Sequence, residues 1–232
     1  MKSELPKVLV PVGGRPMIEY VLDALEAGGI DRVIVVVGYR AEDVRATLAG
    51  RERVEFALQE EQLGTGHAVM ACRDQLDGHD GPVFVVTGDS PMTQSDSVAA
   101  LLAEFERTQA ACILGTTHKL NPFGLGRVVR DQEGDFVGIV EEKDASEQQR
   151  RITEVNMSYY VFNCRDLMDV LDSLRRNNAQ GEYYITDAPG LMKAAGKQVR
   201  ALDVLKPCEA MGVNTVDDLA AVEEAMRQMQ QP

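Results

Sequence analysis

The chain has 232 residues, enough to bury one sizeable core, with room for a sub-domain. Its 37 acidic against 24 basic residues give a formal net charge of −13, which argues against a general nucleic-acid or anionic-membrane surface. Small anionic substrates stay allowed, because they need only local cations or a bound metal. No stretch approaches the roughly 20 apolar residues of a membrane span, and the N-terminus lacks an apolar signal core. The scattered Cys72, Cys112, Cys164 and Cys208 form no CxxC pair and read as reduced core thiols of a cytoplasmic protein, not as a zinc site.

In chain order, apolar runs alternate with helical patterns. Arg15 to Ala27 has apolar residues at helical spacing, with Pro16 suited to the first turn and Gly28-Gly29 to the end. Arg32 to Val37 is a β-branched run and predicts a strand buried on both faces. A short helix follows at Ala41 to Leu48, a strand at Val54 to Leu58 and a helix at Gly66 to Leu76. Next come a strand at Val83 to Thr87, a helix at Ser95 to Thr108 and a strand at Ala111 to Thr117. This βαβαβ order predicts an α/β protein with a Rossmann-like, mostly parallel, doubly wound sheet.

The rhythm then changes. Gly126 to Arg130, Phe136 to Glu141 and Glu154 to Phe162 predict a β-rich insertion. Helices return at Cys164 to Leu174 and near Tyr183 to Ala195, then a strand at Val199 to Leu202 and a closing helix at Thr215 to Met229. No low-complexity linker cuts the chain. The expected organisation is one domain over 1–232, with residues 1–118 for the nucleotide, 119–214 for the insertion and 215–232 as the closing helix.

Two stretches carry chemistry. Residues 54–68 read as a short strand, a Gly-Thr-Gly turn and a helix start, a place where backbone N–H groups and the helix dipole favour an anion or a polar ring. Val83 to Asp89 reads as an apolar strand ending on a carboxylate at the sheet edge where α/β ligands bind. A glycine turn alone only turns; beside a strand-end Asp it suggests nucleotide chemistry. His67, His79 and His118 show no metal-ligand spacing, and His67 reads as structural.

These residues resemble the sugar-phosphate nucleotidylyltransferases, and within them the uridylyltransferase domain of bacterial N-acetylglucosamine-1-phosphate uridylyltransferase. The resemblance is carried by Leu5-Pro6-Lys7-Val8-Leu9, residues 61–68, Gly88-Asp89, Gly126-Arg127, residues 140–145, residues 178–187 and Gly212-Val213-Asn214. It implies Mg²⁺-dependent transfer of UMP from UTP to a sugar 1-phosphate, most closely N-acetylglucosamine 1-phosphate, with release of pyrophosphate. Another hexose 1-phosphate, or dTTP, is the alternative within the class. UTP and the sugar 1-phosphate are the implied partners, with no nucleic acid and no membrane, in a cytoplasmic enzyme supplying cell-envelope precursors. Oligomeric state is left open.

By the same resemblance, Asp89 is the principal metal ligand and Asn214 the second, and Lys7 holds substrate phosphate. Gln59, Gly64 and Thr65 read the uracil ring, and Gly88 lets the backbone approach the nucleotide. Gly126, Glu141 and Asn156 bind the sugar, with Tyr183, Tyr184 and Thr186 walling that side. Lys143 is expected to pair with a nearby acid. Each has a plainer reading: a turn Asp, an N-cap Asn, a surface Lys, an ordinary glycine turn.

The chain departs from the family in three places. Members open with an apolar strand and a glycine-rich, phosphate-cradling loop ahead of the residue matching Met1; both are missing here. Loss of that central strand is expected to leave unpaired strand edges inside the sheet. Two explanations are open: a start read at an internal Met or a shortened chain, and a truncated relative that binds ligands without catalysing. Second, Asn156-Met157-Ser158 stands where the family has Asn-Thr-Gly, so a side chain sits where glycine gave room for an N-acetyl group. Third, no hexapeptide repeats follow, so the family's acetyltransferase half and trimerising helix are expected to be absent. A non-catalytic nucleotide-sugar binder is the rival from another class. A dehydrogenase is weaker, since Gly13-Gly14 is no GxGxxG.

Overall fold

The computed structural model describes residues 5–229, so the outermost residues of the expected single domain, 1–4 and 230–232, lie outside the described region. A one-turn 3-10 helix at Lys7–Leu9 leads into β1 (Pro11–Val12) and β2 (Arg15–Pro16). These pair antiparallel around Gly13-Gly14, where both glycines take a positive φ that side chains resist. Helix α1 (Met17–Ala27) buries Met17, Ile18, Val21, Leu22 and Leu25, apolar positions at the helical spacing read from the sequence, and Ala24 beside them. It ends at Gly28, where a Cβ would meet Val98 of a neighbouring helix at 2.6 Å.

The next elements follow the predicted rhythm: β3 (Val33–Val37), α2 (Ala41–Thr47) and β4 (Val54–Leu58). The predicted helix 66–76 divides into α3 (Thr65–Met70) and α4 (Arg73–Leu76), because Cys72 leaves the helical line. Then come β5 (Pro82–Val85), α5 (Ser95–Thr108), β6 (Cys112–His118), β7 (Gly126–Arg130), β8 (Phe136–Val140) and β9 (Glu154–Asn163). The chain closes with α6 (Cys164–Leu171), α7 (Asp187–Ala194), β10 (Val199–Asp203) and α8 (Val216–Met229). The first turn of the helix predicted from Tyr183 is irregular instead, since the backbone at 183–185 bonds to the glycine turn, as described below.

Two ladders carry the fold. β3 and β4 pair in parallel. A second sheet runs in the order β10-β6-β9-β7-β8, with β5 also on β9. β10 and β6 are parallel; β9 runs antiparallel to β6, β5 and β7. Consecutive strands β5 and β6 therefore do not pair with each other, because the last strand of the β-rich insertion threads between them.

Among the described residues β3 pairs only with β4 and β5 only with β9, so each keeps an edge outside the ladders. The two strands still share their covering layers. Ile34, Val36 and Val83 belong to one apolar cluster, and Val33, Phe84 and Val86 to another with Val21, Leu25 and Val98 of α1 and α5.

The strand β9 organises the second sheet. Its C-terminal end (Tyr160 to Asn163) takes β5 on one edge, and its N-terminal end (Val155, Asn156) takes β7 on that same edge. Between them lie Met157 and Ser158, where the register against β6 shifts between Gly115 and Thr116. This bulge sets Gly126 directly opposite Asn156. The main core below is built from Leu114, Val128, Tyr160, Phe162, Leu167, Leu171 and Ile185, all buried. Cys72, Cys112 and Cys164 are buried too, and burial raises the Cys72 thiol to about 11, which leaves it protonated at neutral pH. No described helix is long and apolar enough to cross a membrane.

Candidate active site

Three groups of predicted residues converge, each at a place the fold dictates. The first joins residues far apart in the chain. Lys7 lies in the opening 3-10 turn, Asp89 in the turn after β5, and Asn214 just before α8. Lys7 Nζ lies 2.6 Å from Asp89 Oδ2 and donates to Asn214 Oδ1 at 2.7 Å. A carboxylate oxygen and an amide oxygen thus aim at one point, which the ammonium fills. The plain N-cap reading of Asn214 is superseded locally, because Thr215 exchanges capping bonds with Asp218 across the first turn of α8. Gly88 sits against protein: a Cβ there would meet Val8 at 3.3 Å and Ile18 at 3.7 Å. Its smallness serves the packing of the opening segment beneath Asp89.

The second group surrounds the glycine turn. Gln59, one residue beyond β4, donates through Nε2 to the Gly64 carbonyl at 3.1 Å and lies 3.1 Å from His67 Nδ1. One of the turn's backbone N–H groups is already occupied by protein. Gly66 N–H donates to Tyr183 O at 2.7 Å, and Tyr183 N–H donates back to Leu63 O at 2.8 Å. Thr65 Oγ1 accepts from Ile185 N–H at 3.1 Å. The turn is therefore clamped to residues 183–185. Gly64 has φ 109° and a Cβ there would lie 2.6 Å from Tyr183 O, so glycine is required on both counts. His67 stacks on Tyr183 with ring centres 6.3 Å apart, a packing role as expected.

The third group is Gly126, Glu141 and Asn156. A Cβ on Gly126 would stand 3.6 Å from Asn156 Cβ and 3.7 Å from Glu141 Oε1, so the three are in contact distance. Thr186 hydroxyl donates to Glu141 Oε1 at 2.9 Å. Burial raises the Glu141 carboxyl above its ordinary range despite that bond, with Asp187 and Asp144 adding in the same direction. The backbone at 185 thus meets the second group and Thr186 meets the third, joining both through adjacent residues.

Other expectations shift. Lys143 donates to the neutral Gln180 Oε1 rather than pairing with an acid. Tyr184 hydroxyl accepts from Gln180 Nε2 at 2.8 Å, so Tyr184 supports the 178–187 loop from within. Missed in the sequence was an ion pair of a buried arginine with a partly exposed glutamate. Arg127, whose side chain is 2 % exposed, binds Glu142 Oε2 at 2.5 Å, while Glu142 also accepts from Gly124 N–H. The mixed charges at 141–144 read as a solvated turn, and only the residue opposite them across the β7–β8 hairpin reveals the pairing.

Asp89 and Asn214 supply two oxygens, and among the described residues no group of three or more His, Cys, Asp or Glu gathers for a metal. Two protein oxygens suit a Mg²⁺ that keeps waters and takes further ligands from phosphates. The ammonium already seated between them shows that the position favours a cation.

A layered α/β fold that brings a lysine, an acid and an amide from three separate turns to one point, and that also holds a clamped glycine turn, is that of the nucleoside-triphosphate transferase class. The MobA-like NTP transferase domain matches residues 1–182, and the chain belongs to that family. It is 45% identical over 98% of its length to the bifunctional protein GlmU of an Exiguobacterium species, and 45% identical to that of Pelotomaculum thermopropionicum, again over 98%. The same protein of Clostridium novyi is 41% identical. The chain spans about half the length of these relatives: 50%, 49% and 49%. Its fold matches a crystal structure of UDP-glucose pyrophosphorylase complexed with UDP-glucose, with a TM-score of 0.74 over 97% of this chain and 92% of that one, at 15% identity. That likeness establishes the fold.

Proposed function

We propose that this protein transfers UMP from UTP to N-acetylglucosamine 1-phosphate or a similar hexose 1-phosphate, giving a UDP-sugar and pyrophosphate, in the cytoplasm and with Mg²⁺. The observation that carries the reading is the meeting of Lys7, Asp89 and Asn214, residues the resemblance assigns to one phosphate and metal centre. Relatives named as bifunctional GlmU proteins over the whole chain support it.

The chemistry asks little of the protein beyond placement and charge. A phosphate oxygen of the sugar 1-phosphate forms a bond to the α-phosphorus of UTP, and the bond from that phosphorus to the bridging oxygen breaks. Pyrophosphate leaves with the electron pair. The attacking phosphate is already an anion, so no general base is needed. Lys7 neutralises phosphate charge, and Asp89 and Asn214 would hold the Mg²⁺. Bound there, the metal supplies Lewis-acid stabilisation of phosphoryl oxygens. Gln59, Gly64 and Thr65 face the base, and Gly126, Glu141 and Asn156 face the sugar.

The test is pyrophosphate release from UTP and N-acetylglucosamine 1-phosphate with Mg²⁺. Turnover above a no-sugar control supports the reading. A second reading, another hexose 1-phosphate, is favoured by Ser158, a residue with a side chain held at φ 59°, whose N–H donates to Asn156 Oδ1. A panel of sugar 1-phosphates, run with UTP and dTTP, separates the two. Silence across the panel, with nucleotide sugar still raising the melting temperature, identifies a non-catalytic binder.

A further inference from the structure

The hydroxyl of Tyr160 is buried without a hydrogen-bond partner. The residue is fully buried and its ring stacks on Phe162 with centres 5.4 Å apart, so the ring belongs to the core. Phenylalanine would fill the same space without stranding a polar atom. An orphaned buried hydroxyl costs stability, and each such group calls for a reason.

Its surroundings supply one. The side chains of Asn156 and Ser158 lie near enough to the phenol to favour its ionised form, and Glu141 adds opposing negative charge; in the free protein no contact to the phenol oxygen reaches hydrogen-bond geometry. All three belong to, or adjoin, the sugar-side group. Ser158 is held at φ 59°, a left-handed conformation that residues other than glycine seldom adopt. It sits in the bulge of β9 between the segment paired with β5 and the segment paired with β7. Its N–H donates to Asn156 Oδ1 at 3.3 Å, which identifies the amide oxygen as the atom facing the bulge. That oxygen has a second lone pair.

We infer that Tyr160 is a positioning residue for the sugar. When the sugar 1-phosphate binds, the phenol O–H donates to the second lone pair of Asn156 Oδ1. With its oxygen held by both Ser158 N–H and Tyr160, the Asn156 amide is fixed with its N–H2 directed at an acceptor oxygen of the sugar: a hydroxyl or an acetamido carbonyl. The phenol lacks a partner in the free protein and gains one in the complex, so its contribution is to ligand affinity rather than to folding. This rests on the sugar 1-phosphate reading above.

The test is Tyr160→Phe in the full chain. The expected result is a KM for the sugar 1-phosphate raised about tenfold, the effect of one hydrogen bond, with kcat and the KM for UTP unchanged. The melting temperature should stay or rise, since an unpaired hydroxyl has been removed. In an Asn156→Ala background, Tyr160→Phe should have no further effect on sugar affinity measured by calorimetry, because the phenol acts through that amide. An unmoved sugar KM, an equal rise for UTP, or a full effect persisting without Asn156 overturns the inference while leaving the wild-type enzyme active. A wild-type protein that neither turns over nor binds any sugar 1-phosphate or nucleotide sugar overturns the sugar reading itself, and this inference with it.

Discussion

Lys7 Nζ stands 2.6 Å from Asp89 Oδ2, and the same ammonium reaches Asn214 Oδ1 at 2.7 Å. The lysine thus fills the point where two oxygens would receive a divalent cation. Metal and ammonium cannot share that point, so metal entry requires Lys7 to swing away, and an arriving phosphate gives it a destination. Lys7→Met should therefore strengthen Mn²⁺ binding to the nucleotide-free protein by about tenfold, read by electron paramagnetic resonance, a modest gain because the pair is partly exposed. The same variant should lose turnover on the order of 100-fold, as expected for a removed transition-state contact. Asp89→Asn should lose both Mn²⁺ binding and turnover while its melting temperature holds. Weaker Mn²⁺ binding in Lys7→Met would show that the lysine does not occupy the cation position.

The glycine turn offers a sharper steric prediction. At Gly64 a methyl group would collide with the Tyr183 carbonyl at 2.6 Å, and φ 109° is itself unfavourable for alanine. Gly64→Ala should cost about 1–3 kcal/mol from backbone strain, measured by urea unfolding. It should also loosen the clamp between residues 63–66 and 183–185, seen as faster amide exchange at Gly66, Tyr183 and Ile185. Wild-type exchange at those three amides would show that the loop does not depend on the turn.

Gln59 uses its Nε2 on Gly64 O and His67, while no hydrogen bond from the described residues reaches its Oε1. A free acceptor oxygen beside the turn suits an imide N–H such as that of uracil. Gln59→Leu should raise the KM for UTP by about tenfold, the effect of one hydrogen bond, and should narrow the preference for UTP over CTP, whose ring presents no N–H at that position. Steady-state kinetics with both nucleotides decides it; a parallel loss for UTP and CTP would assign Gln59 to holding the turn alone.

Much of this architecture was legible in local pattern. The β-branched run at Val33–Val37 and the amphipathic stretch at Ser95–Thr108 each specify one element unaided. What sequence pattern does not carry is which strands become neighbours. The βαβ rhythm suggests that β5 and β6 are adjacent, but β9, a later strand, separates them. The site divides in the same way. Lys7, Asp89, Asn214, Gly126, Glu141 and Asn156 were readable through a motif resemblance. The partnerships of Thr65 with Ile185 and of Gly66 with Tyr183 were not, because each joins residues over 110 positions apart and ends on a backbone group of the distant residue, which leaves no residue-type signature there. Tyr160 was equally hidden: in sequence it is one aromatic of an apolar strand, and only its unpaired hydroxyl distinguishes it.

Two buried carboxylates should give acid stability profiles of opposite sign. Burial pushes Glu154 upward, but bonds from Arg130 (2.6 Å) and Thr116 (2.7 Å) outweigh it and hold the carboxyl below its ordinary 4.5. The unfolded chain then takes up the proton first. Glu154 stabilises fully above about pH 4.5, and its contribution falls away as pH drops through the lower folded value. Glu209 is the reverse. It accepts from Ser97 Oγ, Gln94 N–H and Lys206 N–H, yet burial dominates and raises its carboxyl above 4.5. The folded state there holds its proton longer, so stability declines as pH rises from 4.5 through the folded value. Glu154→Gln should therefore lower stability at pH 7 by about 1.5–3 kcal/mol, the worth of charged hydrogen bonds, and flatten the loss on acidification. Glu209→Gln should remove a downward slope just above pH 4.5 and leave the more acidic limb unchanged. Urea unfolding at closely spaced pH values from 3 to 7 measures both, and parallel profiles for the two variants would contradict the assignment of opposite signs.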